Sequence, residues 1–114
     1  MEDCIFCKIA QGQIPSTFLY EDDQVVVIND INPQTPVHML VLPKKHIQSL
    51  AAAQEEDRDL LGHMLMTAKN MARERGVAES GYRIIVNTGR DGAQTVQHLH
   101  MHIMGGKQLP EQMV

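Results

Sequence analysis

Three histidines alternate with apolar residues near the end of the chain, in the segment His98-Leu99-His100-Met101-His102-Ile103-Met104. Alternation with period two is typical of a β-strand, in which successive side chains point to opposite faces. A helix would scatter the imidazoles around most of a turn and leave the apolar residues without a common side. The segment therefore predicts a strand with one apolar face and one histidine face. Because every imidazole brings a donor and an acceptor, the histidine face indicates a functional site.

Length and composition limit the class of protein. A chain of 114 residues predicts a single domain, residues 1–114, with a modest core. No apolar run approaches a membrane span, and the acidic start Met1-Glu2-Asp3-Cys4 lacks the basic residues of a signal peptide. These features predict a soluble, cytoplasmic protein with no membrane partner. The formal net charge is −4 and the basic residues form no stripe, which argues against a nucleic-acid partner.

The first half of the chain predicts a short helix followed by three strands. Residues 4–10 favour a short helix or turn that ends near Gly12. Residues 18–21 and 25–28 predict a hairpin, since they flank an acidic turn. After a loop over residues 29–36, residues 37–42 predict a third strand that stops before a proline.

From about Ser49 the apolar spacing becomes that of a long helix. The residues in this spacing are Leu60, Leu61, Met64, Leu65, Ala68, Met71 and Ala72. Acidic residues crowd the first turn, and Gly76 follows the last one as an end signal. The methionines of the helix are predicted to fill the core. His63 has no histidine or carboxylate at a ligand spacing and is left out of the predicted site.

A fourth strand at residues 82–87 leads through a glycine-containing loop at residues 88–95 into the histidine strand. The order is strands, one long helix, then strands, without alternation of strand and helix. This order predicts an α+β domain with a mostly antiparallel five-stranded sheet, one long helix and one short N-terminal helix.

The loop before the histidine strand bears on which chemistry the histidines perform. Imidazoles on a strand face suit either a zinc or iron site or covalent catalysis by the middle ring. Gly89, Gly92, Gln94 and Thr95 offer backbone N–H groups and a hydroxyl, which suit anionic oxygens. The loop therefore favours phosphate chemistry at the histidines.

The two cysteines, Cys4 and Cys7, form a Cys-x-x-Cys pair. Residues so close in sequence make a poor structural disulfide, and the spacing alone suits zinc or redox chemistry. A redox pair normally begins a helix after a strand, and no strand is predicted before Cys4. Zinc is the favoured use, but it needs two further ligands.

The histidine segment resembles the His-φ-His-φ-His-φ-φ pattern of the histidine triad (HIT) superfamily, and the likeness covers nearly the whole chain. Further matching segments are Asp30-Ile31-Asn32-Pro33-Gln34-Thr35-Pro36-Val37-His38, Pro43-Lys44-Lys45-His46-Ile47, Gly81-Tyr82-Arg83, Asn87, Gly92-Ala93-Gln94-Thr95 and Gly105-Gly106. The Pro-Gln-Thr-Pro-Val-His segment and Gly105-Gly106 look like the Hint branch, the purine nucleoside phosphoramidate hydrolases. The resemblance implies the HIT-like fold and a homodimer whose two sheets join.

The resemblance also implies roles for six side chains at the reacting phosphate and the sugar. His100 is the implied nucleophile, attacking the α-phosphorus to give a nucleotidyl-histidine intermediate that water hydrolyses. The others are His102 and Asn87 at the phosphate, Thr95 near the leaving group, His38 supporting the nucleophile, and Asp30 at the ribose hydroxyls. No metal is needed at the phosphorus, provided that protein donors replace it.

The apolar walls around the purine are implied in the same way. They are Phe6, Ile9, Ile14, Ile28 and Ile31, and the loop residues Ala93 and Gln94 complete the predicted nucleotide-binding set. All five apolar residues would also be plausible core residues without a ligand.

Members of the superfamily that carry the cysteine pair use two histidines as the remaining zinc ligands. The resemblance therefore implies a structural Cys₂His₂ zinc site formed by Cys4, Cys7, His46 and His98. Two other function classes stay open, a nucleotide-binding regulatory protein without turnover and a dinucleoside polyphosphate hydrolase. The Gly105-Gly106 continuation argues against the second.

Overall fold

The structure, a computed structural model, describes residues 3–113; Met1, Glu2 and Val114 lie outside the described residues. The strands are β1 (Tyr20–Glu21), β2 (Val25–Asn29), β3 (Val37–Pro43), β4 (Tyr82–Ile85) and β5 (Met101–Gly105), and the helices are α1 (Ile5–Ala10) and α2 (Arg58–Glu74). The sheet order is β1-β2-β3-β5-β4, and every neighbouring pair is antiparallel. The predicted α+β architecture, with five antiparallel strands, one long helix and one short helix, is confirmed.

The central strands are buried on both faces, which explains why their sequences are continuously apolar. In β2, Val25 and Val27 lie in a large core beneath α2, while Val26 and Ile28 lie in a smaller core beneath α1. The same division holds along β3. The sheet is therefore a middle layer, with α2 covering one face and α1 covering part of the other.

Helix α2 covers the larger core with one stripe of buried side chains. Its N-terminus is preceded by a 3₁₀ turn in which the Asp57 carboxylate accepts the Gln54 N–H at 2.9 Å and pairs with the Lys45 ammonium at 2.5 Å. Gly76 follows its C-terminus with φ +78°, a conformation that favours glycine. Within residues 3–113, no helix has the length and apolar character that crossing a membrane requires.

Two apolar residues of α2 lie outside the core, contrary to the sequence prediction. Leu65 is 49% exposed and Met66 is 53% exposed. Both follow the buried Met64 by one or two positions, which rotates them about 100° and 200° around the helix axis away from the buried stripe. The spacing that identified the helix was therefore correct, while the assignment of these two residues to the core was wrong.

The histidine segment alternates as predicted, but its hydrogen-bonded ladder begins only at Met101. Leu99, Met101 and Ile103 enter the core beneath α2, so the histidines lie on the face of α1. Before the ladder, the Leu99 N–H donates to the Ile47 carbonyl at 2.7 Å. His98 and His100 therefore lie before β5, in a segment that hydrogen-bonds to Pro43 and Ile47, and the prediction that the strand includes them was wrong.

The other predicted strand ends differ by one or two residues. β1 begins two residues later than predicted, β4 ends at Ile85 instead of residue 87, and β2 and β3 each extend one residue further to Asn29 and Pro43. Pro43 closes β3 at a position where its missing N–H leaves no ladder bond to lose.

Helix α1 brings an aromatic ring onto the histidine face. The Phe6 ring packs edge-on against His100, with centroids 5.0 Å apart, and against His98 at 6.0 Å. The short helix therefore covers the histidine segment, and the space between the helix and the sheet is the candidate site.

Candidate functional site

A cavity of about 280 Å³ lies between α1, the end of β2 and the histidine segment. It is lined by Ile5, Phe6, Ile9, Ile28, Asn29, Asp30, Ile31, Leu40, Thr95, Val96, His100 and His102. Most of these side chains are apolar, while one carboxylate and two imidazoles provide its titratable groups. Apolar walls with a few polar groups are typical of a small-molecule site.

A backbone carbonyl two residues earlier in the chain fixes the tautomer of His100. Its Nδ1–H donates to the His98 carbonyl at 2.7 Å, so in the neutral ring Nε2 carries the lone pair. No side chain or backbone group of residues 3–113 bonds to this Nε2, and none of their fully buried side-chain nitrogens or oxygens lacks a partner. The Nε2 atom is therefore open to the cavity, which is the arrangement a nucleophilic imidazole requires.

His102 lies beside His100 on the same face, with ring centroids 5.1 Å apart. Its Nδ1 is 2.9 Å from the His38 Nε2 and 4.0 Å from the Asp30 Oδ2. Burial, together with the nearby His100 and His38 rings, lowers the pKa of His102 to about 4. His102 is therefore neutral at pH 7.

The strand register explains why His38 meets His102. On neighbouring strands Leu40 lies opposite His102, so His38, two residues earlier, is the diagonal neighbour on the same face. His38 was predicted to support the nucleophile, and its hydrogen bond goes to His102. Any effect of His38 on His100 therefore passes through the neighbouring ring.

Eight of the twelve predicted nucleotide-binding residues line the cavity, and four do not. The four outside the lining are Ile14, Asn87, Ala93 and Gln94. Asn87 donates to the Gly92 carbonyl at 2.8 Å, and a Cβ at Gly92 would collide with backbone at 2.3 Å. Asn87 and Gly92 thus fix the shape of the loop that carries Thr95.

Gln94 is fully engaged within the same loop. Its side-chain amide donates to the Gln48 and Val96 carbonyls at 2.7 and 3.0 Å, and its oxygen accepts the Gly89 N–H at 3.0 Å. Ala93 is exposed, with φ +62°. Both residues shape the loop in this structure and take no part in the cavity wall.

Four lining residues, Ile5, Asn29, Leu40 and Val96, were absent from the predicted set. Leu40 had a sequence signal, since it is two residues after His38 on a predicted strand and so shares its face. The others enter the lining through the packing of α1 and the loop, for which the sequence carries no comparable signal.

A second cluster contains all four predicted zinc ligands, and one of them, His98, packs against the Phe6 ring. Cys4 Sγ is 3.2 Å from the His98 Nδ1, Cys7 Sγ is 3.1 Å from the His46 Nδ1, and the two Nδ1 atoms are 3.1 Å apart. These distances approach the separations of ligand atoms around one tetrahedral ion. Burial, reinforced by the Cys4 thiol, raises the pKa of Cys7 to about 11. Metal binding would therefore displace a thiol proton.

The hydrogen bond on the remote nitrogen of His98 tests whether the cluster fits a metal. His98 Nε2–H donates to the Pro43 carbonyl at 2.9 Å, which leaves Nδ1 as the lone-pair atom facing the thiols. Metal-binding histidines usually donate their other N–H in this way. The four residues therefore fit a Cys₂His₂ metal site.

Asp30, His38 and His102 also bring three donor atoms together, but they fail the same test. The backbone N–H of Gln34 donates to the His38 Nδ1 at 3.0 Å. In the neutral ring the proton must then reside on Nε2, the atom that would have to bind the ion. This cluster is arranged for proton sharing instead of metal binding.

His63, which was left out of the predicted site, has a carboxylate partner that the sequence did not reveal. Its Nε2 is 2.6 Å from the Asp22 Oδ2, although 41 residues separate the two. Neither residue lines the cavity. The pair joins α2 to the turn between β1 and β2, so leaving His63 out of the cavity agrees with its position.

The chain combines a five-stranded antiparallel sheet with a histidine face that a short helix covers, and known proteins with matching sequences show to which class it belongs. Residues 3–113 match the family model described as scavenger mRNA decapping enzyme C-term binding. An uncharacterized HIT-like protein of Synechocystis sp. is 47% identical over 106 residues, which cover 93% of this chain and 92% of that protein. The chain belongs to the histidine triad superfamily, as its motifs predicted.

Solved structures of the same superfamily superpose closely. A histidine triad protein from Clostridium difficile is 49% identical with a TM-score of 0.95, covering 99% of this chain and 98% of that one. A HIT family hydrolase from Legionella pneumophila is 43% identical with a TM-score of 0.93, covering 96% and 97%. A zinc-bound histidine triad family protein from Mycobacterium smegmatis is 31% identical with a TM-score of 0.80, covering 96% and 79%.

Proposed function

We propose that this protein is a purine nucleoside phosphoramidate hydrolase of the Hint branch, releasing a nucleoside monophosphate. The observation that carries the proposal is the fixed tautomer of His100, whose Nε2 lone pair opens into the cavity. A neutral imidazole in this state is ready to attack an electrophilic phosphorus without a metal. Solved relatives named as HIT family hydrolases support hydrolytic chemistry.

The cavity walls support a nucleoside as the ligand. Asp30 offers a carboxylate, the right acceptor for the two hydroxyls of a ribose. Ile31, beside it at the mouth of the cavity, is 100% exposed. A purine seated between Ile31 and the isoleucines of α1 and β2 would bury apolar surface that water otherwise contacts.

The proposed reaction proceeds in two displacements at phosphorus. The His100 Nε2 forms a bond to the α-phosphorus as the phosphorus–nitrogen bond breaks, and the amine leaves with a proton. Thr95, which lines the cavity and is exposed, is the proposed hydroxyl relay that passes this proton from solvent to the amine. In the second displacement water forms a phosphorus–oxygen bond as the phosphorus–imidazole bond breaks. The proton that water loses returns to solvent, and His100 is restored.

We also propose that Cys4, Cys7, His46 and His98 hold one structural zinc ion, apart from the reaction. The tautomer of His98 and the zinc-bound Mycobacterium smegmatis relative support this assignment. When bound, zinc would join α1 to the segment after β3 and to the start of the histidine segment. The proposed cytoplasmic location agrees with two free cysteines, since a reducing compartment preserves thiolate ligands.

A homodimer is proposed from the edge of the sheet. β4 is the last strand of the order, so in residues 3–113 one of its edges has no partner strand. Unpaired edges favour strand pairing, and Leu65 and Met66 add exposed apolar surface on α2. Light scattering on the purified protein should give the mass of two chains, and a monomer would contradict this assignment.

The activity is tested by incubating purified protein with adenosine 5′-phosphoramidate and, separately, with a diadenosine polyphosphate. His100→Ala is the test variant and His63→Ala the matched control, since it removes a histidine outside the cavity. Rapid release of adenosine monophosphate that only His100→Ala abolishes supports the proposal. Faster cleavage of the diadenosine compound, or nucleotide binding without turnover, would contradict it.

A further inference from the structure

A second opening in the surface adjoins the cavity on the side of its isoleucines. This outer groove, of about 530 Å³, shares four lining residues with the cavity, namely Ile9, Ile28, Asn29 and Ile31. Thr95, His100 and His102 line the cavity and do not line the groove. The outer groove therefore continues the apolar end of the cavity and lies away from the reacting histidines.

The link between α1 and β1 forms the far wall of the outer groove. The three lining residues that belong to this link, all of them exposed, are Pro15, Ser16 and Thr17. At the start of the link the Ile14 N–H donates to the Lys8 carbonyl at 3.3 Å, and at its end the Leu19 N–H donates to the Val27 carbonyl at 2.8 Å. Backbone hydrogen bonds to the helix and to the sheet thus hold this wall at both ends.

The proposed placement of the nucleotide decides which of its atoms face the outer groove. With the phosphate at His100 and the ribose at Asp30, the purine lies between Ile31 and the isoleucines of α1 and β2. The sugar is attached to the five-membered ring of the purine, at N9. The six-membered ring and its exocyclic N6 form the opposite end of the base, so this end faces the outer groove.

The lining of the outer groove is suited to hydrocarbon. None of its seven residues carries a charge, and the four apolar ones are Ile9, Pro15, Ile28 and Ile31. A hydrocarbon group placed there would cover apolar surface without stripping water from an ion. A phosphate group, or the charged end of a second nucleotide, would find no cation among these side chains.

We propose that the outer groove is a subsite for a hydrocarbon substituent on the purine N6, so that the protein binds N6-substituted adenine nucleotides more tightly than unsubstituted ones. The proposal rests on the proposed function for the placement of the nucleotide. Ile31 belongs to both linings and is 100% exposed, so one side chain can contact the purine and its substituent.

Calorimetric titration of the full-length protein with three ligands tests the subsite. They are adenosine monophosphate, its N6-benzyl derivative and its 8-benzylamino derivative. The N6-benzyl compound should bind about threefold to thirtyfold more tightly than adenosine monophosphate, from burial of roughly 30–80 Å² of apolar surface. The 8-benzylamino compound carries the same group on the five-membered ring and should show no such gain. A smaller gain for the N6-benzyl compound, or an equal gain for both derivatives, would overturn the proposal.

A charge placed on the far wall should remove the gain. Ser16→Asp and Thr17→Asp each add a carboxylate that the benzyl group would have to strip of water. Gln13→Asp is the matched control, because it adds the same charge at an exposed residue of the same link outside the lining. The ratio of the two affinities, N6-benzyl to unsubstituted, cancels any repulsion between the new carboxylate and the phosphate. This ratio should fall toward one in both groove variants and stay at the wild-type value in the control. A wild-type ratio in both groove variants would overturn the proposal.

Because calorimetry with monophosphates needs no turnover, the subsite and the proposed function fail separately. Tighter binding of the N6-benzyl compound by a protein that does not cleave adenosine 5′-phosphoramidate would preserve the subsite and remove the proposed reaction. Cleavage of the phosphoramidate without a gain from the benzyl group would preserve the reaction and overturn the subsite.

Discussion

Two clusters each contain a pair of imidazoles, and in each pair one nitrogen of the first ring lies about 3 Å from a nitrogen of the second. His46 and His98 face each other with their Nδ1 atoms at 3.1 Å, and His38 and His102 meet at 2.9 Å. They differ in the remote nitrogen of one ring. The His98 Nε2–H donates to the Pro43 carbonyl, which leaves a lone pair on the Nδ1 that faces the cluster. The His38 Nδ1 instead accepts the Gln34 N–H, which leaves a proton on the Nε2 that faces the cluster. Whether the backbone group bonded to the ring is an acceptor or a donor thus distinguishes the metal site from the proton-sharing site.

Helix α1 links the Cys/His cluster to the cavity, because adjacent residues serve each of them. Cys7 lies in the Cys/His cluster, and the Phe6 ring contacts both His98 and His100. A metal that holds Cys7 would therefore also hold one wall of the cavity. This coupling predicts that losing the metal affects stability and nucleotide binding more than the chemical step.

The largest expected effect is that of His100→Ala. Removing the nucleophile should lower turnover of adenosine 5′-phosphoramidate by at least about a thousandfold. Metal content should be unchanged, because His100 is not one of the four residues of the Cys/His cluster. Wild-type turnover in this variant would contradict the nucleophile assignment, and partial recovery of His100→Gly by added imidazole would strengthen it.

Cys4→Ala tests the metal side. Metal analysis of wild-type protein should find about one zinc per chain, and the same analysis of the variant should find none. The melting temperature should fall because the ion no longer joins α1 to the histidine segment. The turnover rate of the folded fraction should stay largely intact. Wild-type protein that is free of metal and equally stable would leave the cysteines as plain buried thiols.

Asp30→Ala is expected to act on binding. The carboxylate would contact the sugar in the ground state and the transition state alike, so KM should rise more than kcat falls. Discrimination against the 2′-deoxynucleotide should shrink in the same variant. Unchanged affinity for adenosine monophosphate would contradict the placement of the ribose at Asp30.

Local sequence patterns and motifs predicted most of the fold and most of the residues that line the cavity. Alternation assigned the faces of the histidine segment, and helical spacing found α2 although it misplaced Leu65 and Met66. Sequence motifs named eight of the twelve cavity-lining residues. These features follow from neighbours in sequence or from a recurring motif.

The tautomer of His98 and the partner of His63 could not be predicted, because groups far away in the sequence set them. The Pro43 carbonyl that orients His98 is 55 residues away, and the His63–Asp22 contact spans 41 residues. Such contacts exist only once the sheet register and the packing of α2 are fixed. Sequence spacing therefore identified which imidazoles matter and left open what each nitrogen does.

The smallest expected effect concerns the His63–Asp22 pair, a histidine contact that belongs to neither cluster. Burial opposes ionisation of Asp22, but hydrogen bonds from the Gln24 N–H, Tyr20, His63 and the Val25 N–H outweigh it and hold the pKa of Asp22 well below its usual range. A lowered pKa means that the ionised carboxylate stabilises the fold above about pH 4, and that this contribution is lost as the pH falls toward the folded-state value.

Asp22→Asn should therefore lower the free energy of unfolding by roughly 1.5–3 kcal/mol at pH 7, the range for a hydrogen bond to a charged group. The difference from wild type should shrink below about pH 4, where the carboxylate of the unfolded chain becomes protonated. Asp23→Asn is the matched control, because it removes the same charge from an exposed neighbour and should change stability by less than about 0.5 kcal/mol. Urea denaturation of both variants between pH 3 and pH 7 measures this, and equal effects would show that Asp22 acts only as a surface charge.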